Sequence, residues 1–239
     1  MKAMIFAAGL GTRLQPFTHN IPKALVPVNG VPLLEIQIRK LLDFGVEEII
    51  VNVHHFADQV KGVLKLNNDF GARIEVSDES DQLLDTGGGV AKAAWFFKGE
   101  ENFILHNVDV VSGADLTQLS GLHNQCKALA TLAVRKRKSS RYLIFDEDQR
   151  LSGWKNTKTG DEIISRKTET KNLLAFSGIH IINTRIFDLI PATGKFSIIQ
   201  SYLSLSADNL IVGWENNDSY WFDVGTPEKL QDVEKYLQS

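Results

Sequence analysis

The chain has 239 residues, of which 43% are hydrophobic and 23% are charged, and its formal net charge is −3. This composition is that of a globular protein, and the charge gives no general basic field for nucleic acid. The single cysteine, Cys126, excludes an intramolecular disulfide framework, and no apolar run approaches the roughly 18 residues that span a membrane. With no signal-peptide pattern at the start, we expect a cytoplasmic protein without nucleic-acid or membrane partners.

The first predicted element is a short buried strand that ends in small residues. The apolar run at residues 4–6 leads into Ala7, Ala8, Gly9, Gly11 and Thr12. A backbone with so little side chain can approach a ligand closely, and its N–H groups suit phosphate oxygens. Arg13 adds a planar cation that can hold a phosphate at two points, and Lys23 adds a second positive charge.

Two common phosphate loops do not fit this segment. The dinucleotide fingerprint G-x-G-x-x-G fails because Leu14 stands at its last position, and no G-x-x-x-x-G-K-[ST] run is present. The two glycines alone are equally compatible with a tight turn. The distinction therefore depends on the residues that surround them.

An alternation of helices and strands follows a proline-rich segment at 15–30. Pro32 opens a predicted helix that Gly45 ends, and residues 49–53 form a second buried strand, so the two strands should be parallel with a right-handed crossover. Asn52 and the adjacent histidines 54 and 55 should lie at the carboxyl end of the sheet, where α/β proteins bind ligands. A zinc site at the histidines is the alternative.

The next segment combines acidic residues with three glycines. A helix at 58–66 and a strand at 73–77 precede the acidic stretch 78–85. Gly87 and Gly88 predict a second loop of close approach, which opens into a helix from Val90 to Phe97 and so favours an anionic or polar ligand. The alternative is a flexible hinge.

A carboxylate follows the next buried strand, residues 103–107. Asn107 ends that strand, and Asp109 comes directly after it. Such a position holds a carboxylate rigidly beside the glycine loop, which suits a metal ion, although a turn or a helix cap is the commoner use of an aspartate there. Asp115 should cap a helix that runs to about Leu122.

The second half is predicted to be more antiparallel than the first. Residues 128–134 should form a strand buried on both faces, and the basic run 135–138 is a solvated strand end or, alternatively, a contact for an anionic ligand or partner. A hairpin at 143–154 and a long strand at 175–182 are predicted next. Helices are expected at 184–189 and 197–205, a strand begins at 211, and Thr226 should cap the last helix.

The pattern Ala-Ala-Gly-x-Gly-Thr-Arg-Leu-x-Pro followed by Pro-Lys resembles the signature of the sugar-1-phosphate nucleotidyltransferases. The match runs from Phe6 to Pro27, and Asp109, Gly178 and the Trp-x-Asp-x-Gly-Thr-Pro around Asp223 extend it over nearly the whole chain. The resemblance implies one α/β domain, 1–239, with a Rossmann-like, mixed but mainly parallel sheet flanked by helices and an antiparallel acceptor-binding lid. Residues 1–125 would form the nucleotide-binding part, and 126–239 mainly the sugar-phosphate-binding part.

The resemblance also implies roles for individual residues. Arg13 and Lys23 would be catalytic, and Asp109 and Asp223 would bind Mg²⁺. The residues implied in nucleotide binding are Ala7, Ala8, Gly9, Gly11, Thr12, Arg13, Lys23, Asn52, Gly87, Gly88 and Asn107, and those implied in sugar-phosphate binding are Asn107, Lys155 and Gly178. Val108 stands where the family has glycine. The family's Glu-Lys-Pro is absent, so Lys155 is the nearest candidate for its lysine.

The implied reaction joins a nucleoside triphosphate to a sugar 1-phosphate and releases pyrophosphate. The chain looks most like the N-acetylmuramate 1-phosphate uridylyltransferases of cell-wall recycling and is similar to mannose 1-phosphate guanylyltransferases; heptose 1-phosphate guanylyltransferases and phosphocholine cytidylyltransferases share the frame. UTP, GTP and CTP all remain open, as does a monomer or a homo-oligomer. The alternatives are a non-catalytic nucleotide-binding regulatory module and, less favoured, a nicotinamide oxidoreductase.

Overall fold

The computed structural model describes residues 1–238 and contains six α-helices within them. The helices are α1 (Leu33–Asp43), α2 (Ala57–Leu66), α3 (Asp85–Lys92), α4 (Leu116–Cys126), α5 (Ile198–Leu205) and α6 (Pro227–Gln238). The strands of the first half are β1 (Lys2–Phe6), β2 (Pro27–Val28), β3 (Val31–Pro32), β4 (Glu48–Val53), β5 (Arg73–Asp78), β6 (Asn102–Asn107) and β7 (Val110–Ser112). Those of the second half are β8 (Ala130–Arg135), β9 (Arg141–Phe145), β10 (Leu151–Asn156), β11 (Glu162–Ile164), β12 (Asn172–Asn183), β13 (Ile211–Glu215) and β14 (Trp221–Asp223).

One large mixed sheet organises the chain. Strands β5, β4, β1 and β6 are neighbours and run parallel, and β12 pairs antiparallel with β6. On its other side β12 pairs with β8, which pairs parallel with β13, while the first residues of β12 pair with the β9–β10–β11 hairpins. The predicted fold class, mainly parallel in the first half and antiparallel in the second, is confirmed.

The alternation of side chains along each strand divides the core into two layers. In β6, Ile104 packs in one layer, and Phe103 and Leu105 pack in the other. Helices α1, α2, α4 and α6 cover the first layer, and α3 and α5 cover the second. Each fully buried aliphatic side chain contributes roughly 1.5–3 kcal/mol, so the two layers hold the strand ends in fixed positions. No helix within residues 1–238 is long and apolar enough to cross a membrane.

Helix α3 corrects the expectation of a second glycine loop. Gly87 and Gly88 lie inside the helix, which begins at Asp85 rather than at Val90. The backbone N–H of Gly87 donates to the carbonyl oxygen of Phe196 over 2.8 Å, and a methyl group added at Gly88 would lie 2.2 Å from the carbonyl oxygen of Gly194. The glycines therefore let a helix pack against a distant segment, and the prediction of a loop at this place is wrong.

The other helix limits agree with the local signals or extend them. The Asp115 side chain accepts hydrogen bonds from the backbone N–H groups of Thr117 and Gln118, as a cap does, and α4 continues to Cys126. Residues Thr184–Asp188 form a 3₁₀ turn instead of an α-helix. Pro227 is the first residue of α6, as expected.

Candidate active site at the carboxyl ends of the parallel strands

A cavity of about 550 Å³ opens where β1, β4 and β6 end. Phe6, Asn52 and Asn107 are the last or nearly last residues of these three strands, and all three line it. The other lining residues used below are Gly9, Gly11, Thr12, Arg13, Lys23, Glu79, Asp85, Thr86, Asp109, Lys195 and Gly225. The edge of the sheet expected from the sequence is therefore the edge that carries the cavity.

The glycine loop has backbone N–H groups without acceptors in the described part of the chain. Gly11 has a φ of +65°, a conformation that glycine adopts without strain, and its carbonyl oxygen accepts a hydrogen bond from the Thr18 hydroxyl over 2.8 Å. The backbone N–H groups of Gly9 and Gly11 donate to no other group within residues 1–238. A methyl group added at Gly9 would meet no atom within 4 Å. These free donors suit an anion.

A buried amide and a buried carboxylate fix the start of this loop. The Asn52 side-chain oxygen accepts from the Ala7 N–H over 2.8 Å, and its Nδ2 donates to Oε1 of Glu79 over 2.8 Å. Oε2 of Glu79 accepts from the Leu84 N–H over 3.1 Å, and Glu79 is 0% exposed. The sequence interpretation missed Glu79. Its only signal was the acidic composition of residues 78–85, which does not distinguish a buried glutamate from an exposed one.

Two predicted cations lie in the cavity with different surroundings. Lys23 is buried and forms an ion pair with Asp109. Arg13 is exposed and lines the cavity beside Gly225. Lys195, which the sequence interpretation did not single out, adds a third cation to the lining. The cavity thus combines free N–H donors with positive charge, which is the chemistry that phosphate groups require.

The two predicted metal ligands converge although they are far apart in the sequence. Strand β14 pairs with β7, which sets Asp223 opposite Val110, and the Val224 N–H donates to the carbonyl oxygen of Asp109 over 2.8 Å. Oδ2 of Asp223 accepts from Lys229 over 2.8 Å. Within the described residues, Oδ1 of each aspartate has no hydrogen-bond partner.

This pair of carboxylates suits a hard divalent cation that shares its ligands with substrate. Magnesium binds through one or two carboxylates and takes its remaining ligands from water and phosphates. No group of three or more His, Cys, Asp and Glu side chains placed to hold a metal occurs in residues 1–238, so the protein by itself offers only part of a coordination shell. His54, weighed above for zinc, instead lies with its Nδ1 2.6 Å from the carbonyl oxygen of Glu79.

Gly178 lies at a bulge in β12, between Phe176 and His180. Its φ is +79°, and a methyl group added there would lie 2.9 Å from Nδ2 of Asn107. The bulge and the close approach are therefore the same feature, because the bulge brings bare backbone against a residue that lines the cavity.

Six of the predicted site residues are not part of the cavity lining: Ala7, Gly87, Gly88, Lys155, Gly178 and Asp223. Lys155 pairs with Glu162 over 2.9 Å on the exposed side of the β10–β11 hairpin. Gly87 and Gly88 pack on residues 194–196, while Asp85 and Thr86, which precede them in α3, face the cavity.

The lining favours binding and charge neutralisation over nucleophilic catalysis. The described residues that line the cavity include no cysteine, serine or histidine. His106 precedes Asn107 in β6, and burial lowers the pKa of its imidazole to about 3, which keeps it neutral near pH 7. The lining therefore offers no Ser–His or Cys–His pair for nucleophilic catalysis.

The comparisons with known proteins show the family of the chain. The family model described as "Nucleotidyl transferase" matches residues 2–239. The chain is 33% identical to the N-acetylmuramate alpha-1-phosphate uridylyltransferase of Caulobacter vibrioides, over 95% of this chain and 92% of that protein. It is 28% identical to the UTP–glucose-1-phosphate uridylyltransferase of a Synechocystis species, over 99% of this chain but only 63% of that longer protein.

The fold comparison extends over the whole chain. HddC from Yersinia pseudotuberculosis, solved in complex with GMP-PN, superposes with a TM-score of 0.76, at 22% identity and with 99% of each chain covered. At that identity the likeness concerns the fold alone.

Proposed function

Because the chain belongs to the nucleotidyl transferase family, we propose that it transfers a nucleoside monophosphate from a nucleoside triphosphate to a sugar 1-phosphate. The products are a nucleoside diphosphate sugar and pyrophosphate. The reaction depends on Mg²⁺, and UTP or GTP is the triphosphate. The observation that carries this proposal is the convergence, at one edge of the sheet, of the free N–H groups of the glycine loop, the Lys23–Asp109 ion pair and Asp223.

The proposed chemistry is an in-line displacement at phosphorus. A phosphate oxygen of the sugar 1-phosphate forms a bond to the α-phosphorus, and the bond from that phosphorus to the bridging oxygen breaks. Pyrophosphate leaves with the electron pair. Such a reaction needs positioning and charge neutralisation more than a protein nucleophile, in agreement with a lining without cysteine, serine or histidine.

The chain's own residues divide this work. The N–H groups from Gly9 to Thr12 bind the triphosphate, and Arg13 offsets the charge of the departing pyrophosphate. Lys23 reaches the α-phosphate and the incoming phosphate. Asn107 and Gly178 shape the acceptor side, and Asn52 holds the loop through the Ala7 N–H.

Asp109 and Asp223 would hold the Mg²⁺ ion. When bound, that ion neutralises the phosphate oxygens on which charge gathers in the transition state. The free Oδ1 of each aspartate supports this assignment, because an oxygen without a hydrogen-bond donor can bind a cation without breaking an existing contact.

Among the acceptors we favour N-acetylmuramate 1-phosphate with UTP. The relative from Caulobacter vibrioides carries the name of that activity, and the two chains match over nearly their whole lengths. The Synechocystis relative carries the name of a glucose-1-phosphate uridylyltransferase, but the chain spans less than two thirds of that protein. Glucose 1-phosphate is therefore the second acceptor to test.

A panel of substrate pairs tests the proposal. Pyrophosphate release is measured with Mg²⁺ for UTP, GTP, CTP, ATP and dTTP against glucose 1-phosphate, mannose 1-phosphate, N-acetylmuramate 1-phosphate and phosphocholine. We expect release that requires one triphosphate with one acceptor and stops when EDTA is added. Nucleotide binding without release from any pair would contradict the proposal and favour a regulatory module.

A further inference from the structure

The basic run at residues 135–138 continues out of β8 and sends its side chains to alternate sides. Lys136 and Lys138 are exposed, and Lys136 pairs with Glu215 over 2.9 Å. Arg135 and Arg137 are partly buried on the opposite side. The run is therefore more than a solvated strand end, because half of it is withdrawn from water.

Arg137 has few hydrogen-bond partners for a partly buried cation. Its guanidinium lies over the Trp221 ring, with the Cζ atom 4.2 Å from the ring centroid, and one Nη donates to the carbonyl oxygen of Phe176 over 3.0 Å. The Nε atom is buried without a hydrogen-bond partner, and within residues 1–238 no carboxylate lies within 4.0 Å of the guanidinium. Arginine has five N–H donors, so most of them are unused.

The position of Arg137 relates it to the proposed active site. Trp221, on which it stacks, is two residues from Asp223, and Phe176 is two residues from Gly178 at the bulge. Burial lowers the pKa of Arg137, and the Asp223 carboxylate opposes that shift, so the two charges act on each other without forming a contact. Asp223 itself is paired with Lys229.

A cation withdrawn from water without a counter-charge is costly, and an incoming anion removes that cost. Stacking on an aromatic ring fixes the plane of the guanidinium, and the N–H groups that do not donate to Phe176 remain available to an anion. Arg135 lies farther from the same ring, with its Cζ 6.0 Å from the centroid, and one of its Nη atoms donates to the carbonyl oxygens of Ser219 over 3.1 Å and Asn217 over 3.4 Å.

We propose that Arg137 binds an anionic group of the acceptor substrate, either its phosphate or a carboxylate on its sugar. The assignment rests on the proposed transferase function and gives the acceptor side the cation that Lys155, paired with Glu162 on the surface, does not supply. Phosphate and carboxylate present the same paired oxygens to a guanidinium.

The test compares Arg137→Gln with Lys138→Gln, which removes the same charge one residue further on from an exposed side chain. Initial rates are measured against both substrates, with Arg137→Lys as the conservative variant and thermal unfolding as the check on folding. Loss of a charged, desolvated contact should raise the acceptor KM of Arg137→Gln by roughly ten- to a hundredfold. The acceptor KM of Arg137→Lys, which keeps the charge, should rise by a smaller factor. The triphosphate KM should change less than about twofold, and Lys138→Gln should resemble the wild type.

The acceptors distinguish the two sources of the anion. If the acceptor KM of Arg137→Gln rises for neutral and acidic sugar 1-phosphates alike, Arg137 contacts the phosphate. If it rises for N-acetylmuramate 1-phosphate alone, Arg137 contacts the carboxylate of that sugar. An unchanged acceptor KM in Arg137→Gln would overturn the assignment, as would an equal rise in the KM of the acceptor and the KM of the triphosphate. In either case, turnover by the wild type would still uphold the transferase function. If the wild type turns over no pair, the proposed function fails first, and the assignment fails with it.

Discussion

The two sides of the proposed active site are built in different ways. On the nucleotide side, the loop after β1 is held by Asn52 and Glu79, which are 2% and 0% exposed and bind each other and the backbone. On the acceptor side, all three residues of β11 are exposed, and Glu162 pairs with Lys155 and Lys171 at the surface. Surface pairs contribute little, whereas a buried network fixes its members. We therefore expect the proposed nucleotide side to be preorganised and the proposed acceptor side to be adaptable.

This difference indicates how the family fold can serve several substrates. The part proposed to act at the α-phosphorus lies on three parallel strands packed on both faces. The part proposed to select the acceptor lies on hairpins with an exposed edge. Changes on the first side should reduce turnover or stability, and changes on the second should act on the acceptor KM.

The largest expected effect is at the junction of the two sides. Asp223→Asn keeps the shape of the side chain and removes the charge, so kcat should fall by about a hundredfold or more, the scale for one electrostatic stabiliser. Asp218→Asn, at an exposed residue of the loop that precedes β14, should keep normal turnover. Steady-state kinetics at saturating substrates measures both, and a fall of less than about threefold in Asp223→Asn would remove the metal assignment.

The packing of α3 against residues 194–196 connects the two sides. Gly88→Ala would put its methyl group 2.2 Å from the Gly194 carbonyl oxygen, so the free energy of unfolding should fall by about 1–3 kcal/mol, measured by urea denaturation. The matched control is Gly62→Ala in α2, where the added methyl group meets nothing within 4 Å and should raise stability by about 0.5–1 kcal/mol. Equal changes in both variants would show that α3 packing tolerates a side chain.

A smaller effect is expected from the buried carboxylate on the nucleotide side. Glu79→Gln turns one of two acceptors into a donor that faces either Asn52 Nδ2 or the Leu84 N–H. We expect a loss of about 1–2 kcal/mol in the free energy of unfolding and a higher triphosphate KM. Glu75→Gln, exposed on β5, is the control. A triphosphate KM that stays at the wild-type value would mean that the Asn52–Glu79 network does not position the loop.

The smallest effect is expected on the acceptor hairpin. Lys155→Ala breaks a surface ion pair, and Glu162 keeps Lys171 as a second partner. The acceptor KM should change by less than about twofold, because exposed pairs contribute roughly 0–1 kcal/mol. A tenfold increase would mean that the hairpin closes over the acceptor and brings Lys155 to it.

The residues of the proposed site that could be named from the sequence are those with a local signal. The glycine loop and Asp109 follow strands β1 and β6, and Asp223 lies within the Trp-x-Asp-x-Gly-Thr-Pro pattern. Gly87 and Gly88 were misinterpreted because their partner, residues 194–196, is distant in the chain, and a run of glycines looks the same in a loop and in a tightly packed helix.

Burial explains the remaining misses. Glu79 and Asp78 are neighbours of the same type, yet Glu79 is fully buried, and Asp78 pairs with Lys61 near the surface. Arg137 and Lys138 are likewise indistinguishable in the basic run until β14 supplies Trp221. In both cases the environment comes from a strand or loop that the local pattern does not contain.

The most direct measurement follows the phosphorus atoms by ³¹P nuclear magnetic resonance, with UTP, N-acetylmuramate 1-phosphate and Mg²⁺ as the first mixture. Attack at the α-phosphorus predicts the appearance of pyrophosphate and of the two coupled signals of a diphosphate diester, in equal amounts. Orthophosphate with UDP would place the reaction at the γ-phosphorus. That result would contradict the assignment of the glycine loop, Lys23 and the two aspartates to nucleotidyl transfer.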